Sequence, residues 1–104
     1  MDFPPSARLL GVHRERGMDE LIAVKVEMPA ADWPSFLEGT PMDPKLFEPG
    51  EGGLLGPDEG FWDPHQAKNL HTSQAPLPGN RVLNIGYDDS RGDVVVVYVV
   101  NHGH

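Results

Sequence analysis

Cysteine is absent from the 104 residues. Disulfide staples, thiolate metal ligands and a cysteine nucleophile are excluded with it. Basic residues are scarce: Lys and Arg number 8 against 16 Asp and Glu, for a net charge of −8. Duplex binding needs clustered cations, so nucleic acid is not an expected partner. Long apolar runs are lacking too, and nothing approaches the roughly 20 residues of a membrane-spanning helix. Met1 to Leu10 has neither the basic start nor the apolar core of a signal peptide. The expected location is therefore cytoplasmic, with no membrane partner. There is also no Gly-x-Ser-x-Gly elbow, phosphate-binding loop or dinucleotide fingerprint.

Glycine and proline are plentiful instead, at 12 and 11 residues. That composition predicts many turns and little long helix. The one unbroken apolar run is Val94–Val100, in which six of seven residues are valine. Branched side chains favour a pleated strand over a helix, and a strand apolar on both faces needs cover on both. Either a second layer or a second subunit must supply it.

The remaining strands follow from alternation. Arg8–His13 and Leu21–Met28 form an expected first hairpin across the polar turn Arg14–Asp19, although Gly11 weakens the first strand. In the second strand Ile22, Val24, Val26 and Met28 share a face. Arg81–Tyr87 pairs with the valine run across Asp88–Asp93, with Gly92 free to take positive φ. Closing that turn at Asp88 and Asp93 sets Tyr87 opposite Val94, Ile85 opposite Val96 and Leu83 opposite Tyr98. The Arg91-Gly92-Asp93 spelling of an adhesion tripeptide is explained by this turn.

Between the hairpins the chain is acidic and punctuated by proline. Glu27–Asp63 contains nine acids and one base, Lys45, a local charge of −8, while the remainder is neutral. Asp32–Gly39 reads as a short helix, and Asp43-Pro44 and Asp63-Pro64 read as starts of one or two helical turns. Ala75–Asn80 reads as a turn-rich connection. The expected fold is a single α+β domain over 1–104. It has a small antiparallel sheet of about four strands (two hairpins), short helices and a long Pro/Gly-rich connection.

Five of the eight aromatics, Trp33, Phe36, Phe47, Phe61 and Trp62, lie in the acidic segment. Phe36, Leu37, Leu46 and Phe47 are expected in the core. Trp33, Phe61 and Trp62, with Asp58 and Glu59, are the expected binding residues, because acid-rimmed aromatics suit a basic or amphipathic partner. His102 and His104, with His71, are the candidate ligands if a divalent metal is held, since His-x-His at a strand end supplies two donors from one side. No cofactor is otherwise expected. Adjacent acids such as Asp58-Glu59 and Asp88-Asp89 point apart on an extended chain and are not by themselves a catalytic dyad.

The first expectation for function is a non-enzymatic protein-binding or accessory module, homodimeric or docked to another protein, using residues 32–63. The alternatives are a small His- or metal-dependent enzyme built on His65 or His71 with His102 and His104, and an acidic mimic of nucleic acid.

Overall fold

The computed structural model describes residues 3–16, 20–50, 54 and 60–103. Among these, six antiparallel strands form one sheet in the order β1-β2-β6-β5-β4-β3. They are β1 (Arg8–Glu15), β2 (Leu21–Pro29), β3 (Glu48–Pro49), β4 (Leu70–Leu77), β5 (Arg81–Asp88) and β6 (Val94–Gly103). One α-helix, α1 (Trp33–Glu38), follows a 3-10 turn at Ala30–Asp32. Single 3-10 turns also form at Pro44–Leu46 and Pro64–Gln66.

The valine run lies inside the sheet, between β2 and β5. Residues directly opposite in an antiparallel pair share a face, so the register sorts the side chains. One face carries Val26, Met28, Leu83, Ile85, Val95, Val97 and Val99. It is roofed by α1 through Phe36 and Leu37, with Met42 beyond the helix and Phe3 and Phe47 packed around them. The opposite face carries Ala23, Leu70, Tyr98 and Val100, and Leu54 and Trp62 cover it. The acidic middle segment therefore supplies the cover on both sides. The uncovered valine face that pointed to a second subunit is closed within the chain.

Three sequence expectations are corrected. Two strands, β3 and β4, add to the expected four. The sequence reads Leu70 as the end of a helical turn and Ala75–Leu77 as part of a turn-rich connection, because the apolar positions of β4 are diluted by His71, Ser73, Gln74 and Pro76. Proline is tolerated there because β3 pairs only with Thr72 and His71, leaving the rest of β4 without a second strand neighbour among the described residues. The turn at Asp63-Pro64 does form, but it stops at Gln66.

The third correction concerns the β5–β6 register. Tyr87 lies opposite Val97, Ile85 opposite Val99 and Leu83 opposite Asn101, three residues from the expected pairing. An odd slip exchanges faces, so Leu83 and Ile85 pack with Val95, Val97 and Val99 rather than with Val94, Val96 and Tyr98. Val94 and Val95 extend past β5 and pair with Pro29 and Met28 of β2. The wider loop is held by the Ser90 N–H donating to Asp88 Oδ1 at 3.0 Å and by Gly92 at φ 84°. Because the valine run is apolar on both faces, burial alone favours neither register.

Two strand glycines are docking points rather than weaknesses. A Cβ on Gly11 would stand 2.2 Å from the Phe61 ring, and one on Gly86 would stand 2.4 Å from Leu54 Cδ1. Both residues lie on the face that the second half of the middle segment covers. The missing side chains let that segment lie directly on the backbone.

Candidate functional site

The aromatic residues assemble into two ladders, one on each face. On the α1 face, Phe3 stacks on Phe36 with centroids 5.2 Å apart, Phe36 contacts Trp33 at 5.8 Å, and Trp33 leans on Tyr87 at 4.9 Å. His71 stacks on Tyr87 at 5.4 Å and 17°, and Phe47 meets Tyr87 edge-on at 5.3 Å. Register explains the meeting: His71 on β4 lies directly opposite Tyr87 on β5. The first turn of α1 brings in Trp33, with Pro34 next to it setting the helical φ. The 3-10 turn at Pro44–Leu46 brings in Phe47, and Asp43 Oδ1 accepts the Lys45 N–H at 2.9 Å to start that turn.

Trp33, Phe47, Tyr87 and His71 are all only partly buried. Leu46, expected in the core, precedes Phe47 in the chain and is 60 % exposed. Asp43 and Asp89 are exposed near this group, with Lys45 as the single base of the segment, while Glu48, opposite Thr72, lies on the other face. Burial, reinforced by the charge of Asp89, pushes the Tyr87 hydroxyl above its ordinary pKa. The Nδ1 atom of His71 is buried with no hydrogen-bond partner among the described residues. The result is an acid-rimmed aromatic patch at the β3–β5 side of the sheet. Its rings touch one another at 4.9–6.3 Å, so they form a surface and leave no gap for a ligand between them.

The second ladder is structural. Phe61 meets Trp62 edge-on at 6.2 Å, and Trp62 meets Tyr98 edge-on at 5.3 Å. The Trp62 indole is buried, and its Nε1–H donates to the Leu54 carbonyl at 3.3 Å. This corrects the expectation that Trp62 presents a partly exposed binding surface. Phe61 is half-buried against Gly11. Next to them, Lys25 Nζ and the Tyr98 hydroxyl both donate to Asp63 Oδ1, at 2.7 and 2.8 Å. Lys25 Nζ also lies 5.4 Å from the Tyr98 ring centroid.

Burial pushes the Asp63 carboxyl upward, but the hydrogen bonds from Lys25 and Tyr98, with the Lys25 charge, outweigh it and hold the pKa below its ordinary value. Tyr98 is pushed well up, first by burial and then by its bond to the Asp63 carboxylate. The trio thus has its proton on Tyr98 and its negative charge on Asp63, and it ties the Asp63-Pro64 turn to β2 and β6.

A sign follows for pH. A depressed carboxyl pKa contributes stability above its ordinary value, and that contribution is lost as pH falls through the folded value. Asp63→Asn is expected to be less stable than the parent near neutrality by about 1 kcal/mol. The difference should begin to close below roughly pH 4, where the unfolded-state carboxyl protonates, and vanish below the lower folded value. Urea unfolding of both proteins between neutral and acid pH measures it. A gap that persists at the acid end would mean that Asp63 acts through packing alone.

The sheet separates the candidate metal ligands. His71 shares the face of Tyr87, whereas His102 lies opposite Val82 and Leu21, on the face of Val100. They cannot hold one ion together. Asp58, Glu59 and His104 lie outside the described residues. Among the described residues no three His, Asp or Glu side chains are grouped to hold a metal ion. His65 and Lys68 line an open depression of about 310 Å³ between Pro49-Gly50 and Leu70. No helix among the described residues is long and apolar enough to cross a membrane.

Of the expected binding residues that the structure describes, Trp33 alone sits in the aromatic patch. Tyr87 and His71 join it through strand register, and Leu46 through the exposed end of its turn. The sequence signal for Tyr87 is its place at a strand end next to Asp88-Asp89; His71 carries none, because the polar residues and proline of β4 hide its strand. No family model, curated protein or solved structure matches this chain.

Proposed function

We propose that the protein is a non-enzymatic binding module whose docking face is the acid-rimmed patch of Trp33, Phe47, Tyr87 and Leu46. The observation that carries this reading is the patch's combination of half-buried rings, an exposed leucine and surrounding carboxylates. Large, rigid aromatics are the side chains through which interfaces gain most of their energy. A rim of acids selects a cationic partner by steering its approach and rejects anionic ones, nucleic acid included. The chemistry-bearing trio of Lys25, Asp63 and Tyr98 has a structural task on the other face, which leaves recognition to the patch.

A titration of the full chain with a decapeptide of alternating arginine and leucine, followed by two-dimensional NMR, tests the proposal. The Trp33 indole N–H and the amides of Phe47 and Tyr87 are expected to shift, while the Trp62 indole N–H stays in place. A peptide of alternating glutamate and leucine should leave all of them unmoved. Equal shifts with both peptides, or none at Trp33 with either, would overturn it.

A further inference from the structure

We infer that the acidic aromatic patch docks a second copy of this chain, through the basic margin of the sheet at β1. The inference rests on the reading of the patch as a docking face and names its occupant. Both halves of the contact are present on the molecule.

The first half is the margin. β1 is an edge strand, paired with β2 alone among the described residues. Leu9 lies opposite Val26 and Val12 opposite Val24, so both project from the face that α1 roofs. Arg14, opposite Ile22, follows them on that face. The roof does not reach this far: Leu9 is 61 % and Val12 51 % exposed. Together with Leu46 they are the exposed large hydrophobics of the described residues. The margin is also the basic part of the chain. Arg8, Arg14 and Arg16 stand against Glu15, a local charge of +2 in a protein of net charge −8. Arg14 reaches Glu20 at 3.5 Å but stays half exposed.

The second half is the patch. It offers Leu46 and the rings of Trp33 and Tyr87 beside the carboxylates of Asp43 and Asp89. Each half therefore combines exposed apolar side chains with charge, and the signs are opposite. Complementary charge favours the pairing of unlike surfaces and disfavours the like ones.

Like-with-like contacts fail on the same ground. Two β1 edges brought together put Arg8, Arg14 and Arg16 of both copies along one seam. Arginines on an edge, with the irregularity between Leu9 and Gly11, are devices that block strand-to-strand addition. Patch against patch would oppose carboxylates. The remaining arrangement is heterologous: the margin of one copy meets the patch of the next, and the assembly stays open or closes into a ring according to the rotation between copies.

The test uses the full chain and two neutral double variants at exposed positions. Leu9→Gln with Arg14→Gln removes the margin and keeps the patch. Leu46→Gln with Asp89→Asn removes the patch and keeps the margin. Circular dichroism checks that each folds as the parent does. Sedimentation from about 10 µM to about 1 mM should show the parent's weight-average mass rising with concentration, as a small, charge-steered contact requires. Each variant alone should remain monomeric, and an equimolar mixture of the two should form a one-to-one complex, because each supplies the half that the other lacks. A monomeric parent across that range, a variant that still associates alone, or a mixture that stays monomeric overturns the inference. If the peptide titration nevertheless shifts Trp33, the docking-face reading stands without it and the occupant is a different protein.

Discussion

Replacing Trp62 with alanine is expected to cost about 3–5 kcal/mol of folding stability, the range found when a buried aromatic is truncated to leave a cavity. For a domain of this size that is about a fifth of the total or more, since small proteins hold only about 5–15 kcal/mol. The loss has several sources at one position. The buried indole covers the sheet face between Leu54 and Tyr98, meets the Tyr98 ring edge-on at 5.3 Å, and satisfies the Leu54 carbonyl with its N–H. Removing it also undercuts Phe61 on one side and the Asp63 bonds to Lys25 and Tyr98 on the other. Trp62→Phe keeps a ring but loses the hydrogen bond, and is expected to fall between the parent and alanine. Urea unfolding followed by far-ultraviolet circular dichroism measures both. A cost below about 1 kcal/mol for alanine would show that the segment from Phe61 to Ala67 rests on the sheet without stabilising it.

That prediction also marks where sequence reading reached and where it stopped. The valine run announced a strand inside the sheet, and so required cover on both faces; the acidic middle was the only stretch rich enough in large side chains to provide it. The Asp-Pro pairs announced one-turn helices, and those at Asp43 and Asp63 both form. Yet the two aspartates differ. Asp43 caps its own turn by accepting from Lys45 N, while Asp63 leaves its turn uncapped and accepts from Lys25 and Tyr98 across the sheet. Local chemistry gives the turn in both cases, but only the tertiary arrangement decides where the carboxylate points.

The same limit explains Trp62 and β4. Trp33 and Trp62 occupy similar acidic, proline-rich surroundings, and nothing local separates the one that is half exposed from the one that is buried. What separates them is the floor beneath. Trp62 follows Phe61, which lies on the bare backbone of Gly11, whereas Trp33 starts a helix whose later residues, Phe36 and Leu37, take the buried positions. β4 was hidden because its polar residues and Pro76 look like a connection, and with it was hidden the pairing that sets His71 against Tyr87. The patch was therefore half visible: Trp33 and the acids by composition, Tyr87 and His71 only through register.

Introducing aspartate at Val97 or at Val100 is expected to prevent folding at either position alike. Both side chains are fully buried, and each faces a different layer. Val97 packs with Ile85 and Met28 beneath α1, and Val100 packs with Ala23 and Tyr98 beneath the Leu54 and Trp62 cover. An unpaired carboxylate in either place costs more than about 5 kcal/mol, which is comparable to the whole stability of a small domain. Had one face of the sheet been open to water, its aspartate would turn outward and fold with little loss. Equal severity is thus the signature of a strand roofed on both sides by one chain. Thermal unfolding of Val97→Asp and Val100→Asp at low protein concentration, where a second copy cannot contribute cover, is the measurement. Val100→Asp folding normally while Val97→Asp does not would show that the cover formed by Leu54 and Trp62 opens readily. The face carrying Tyr98 would then be exposed, and the binding surface would have to be sought there instead of around Trp33.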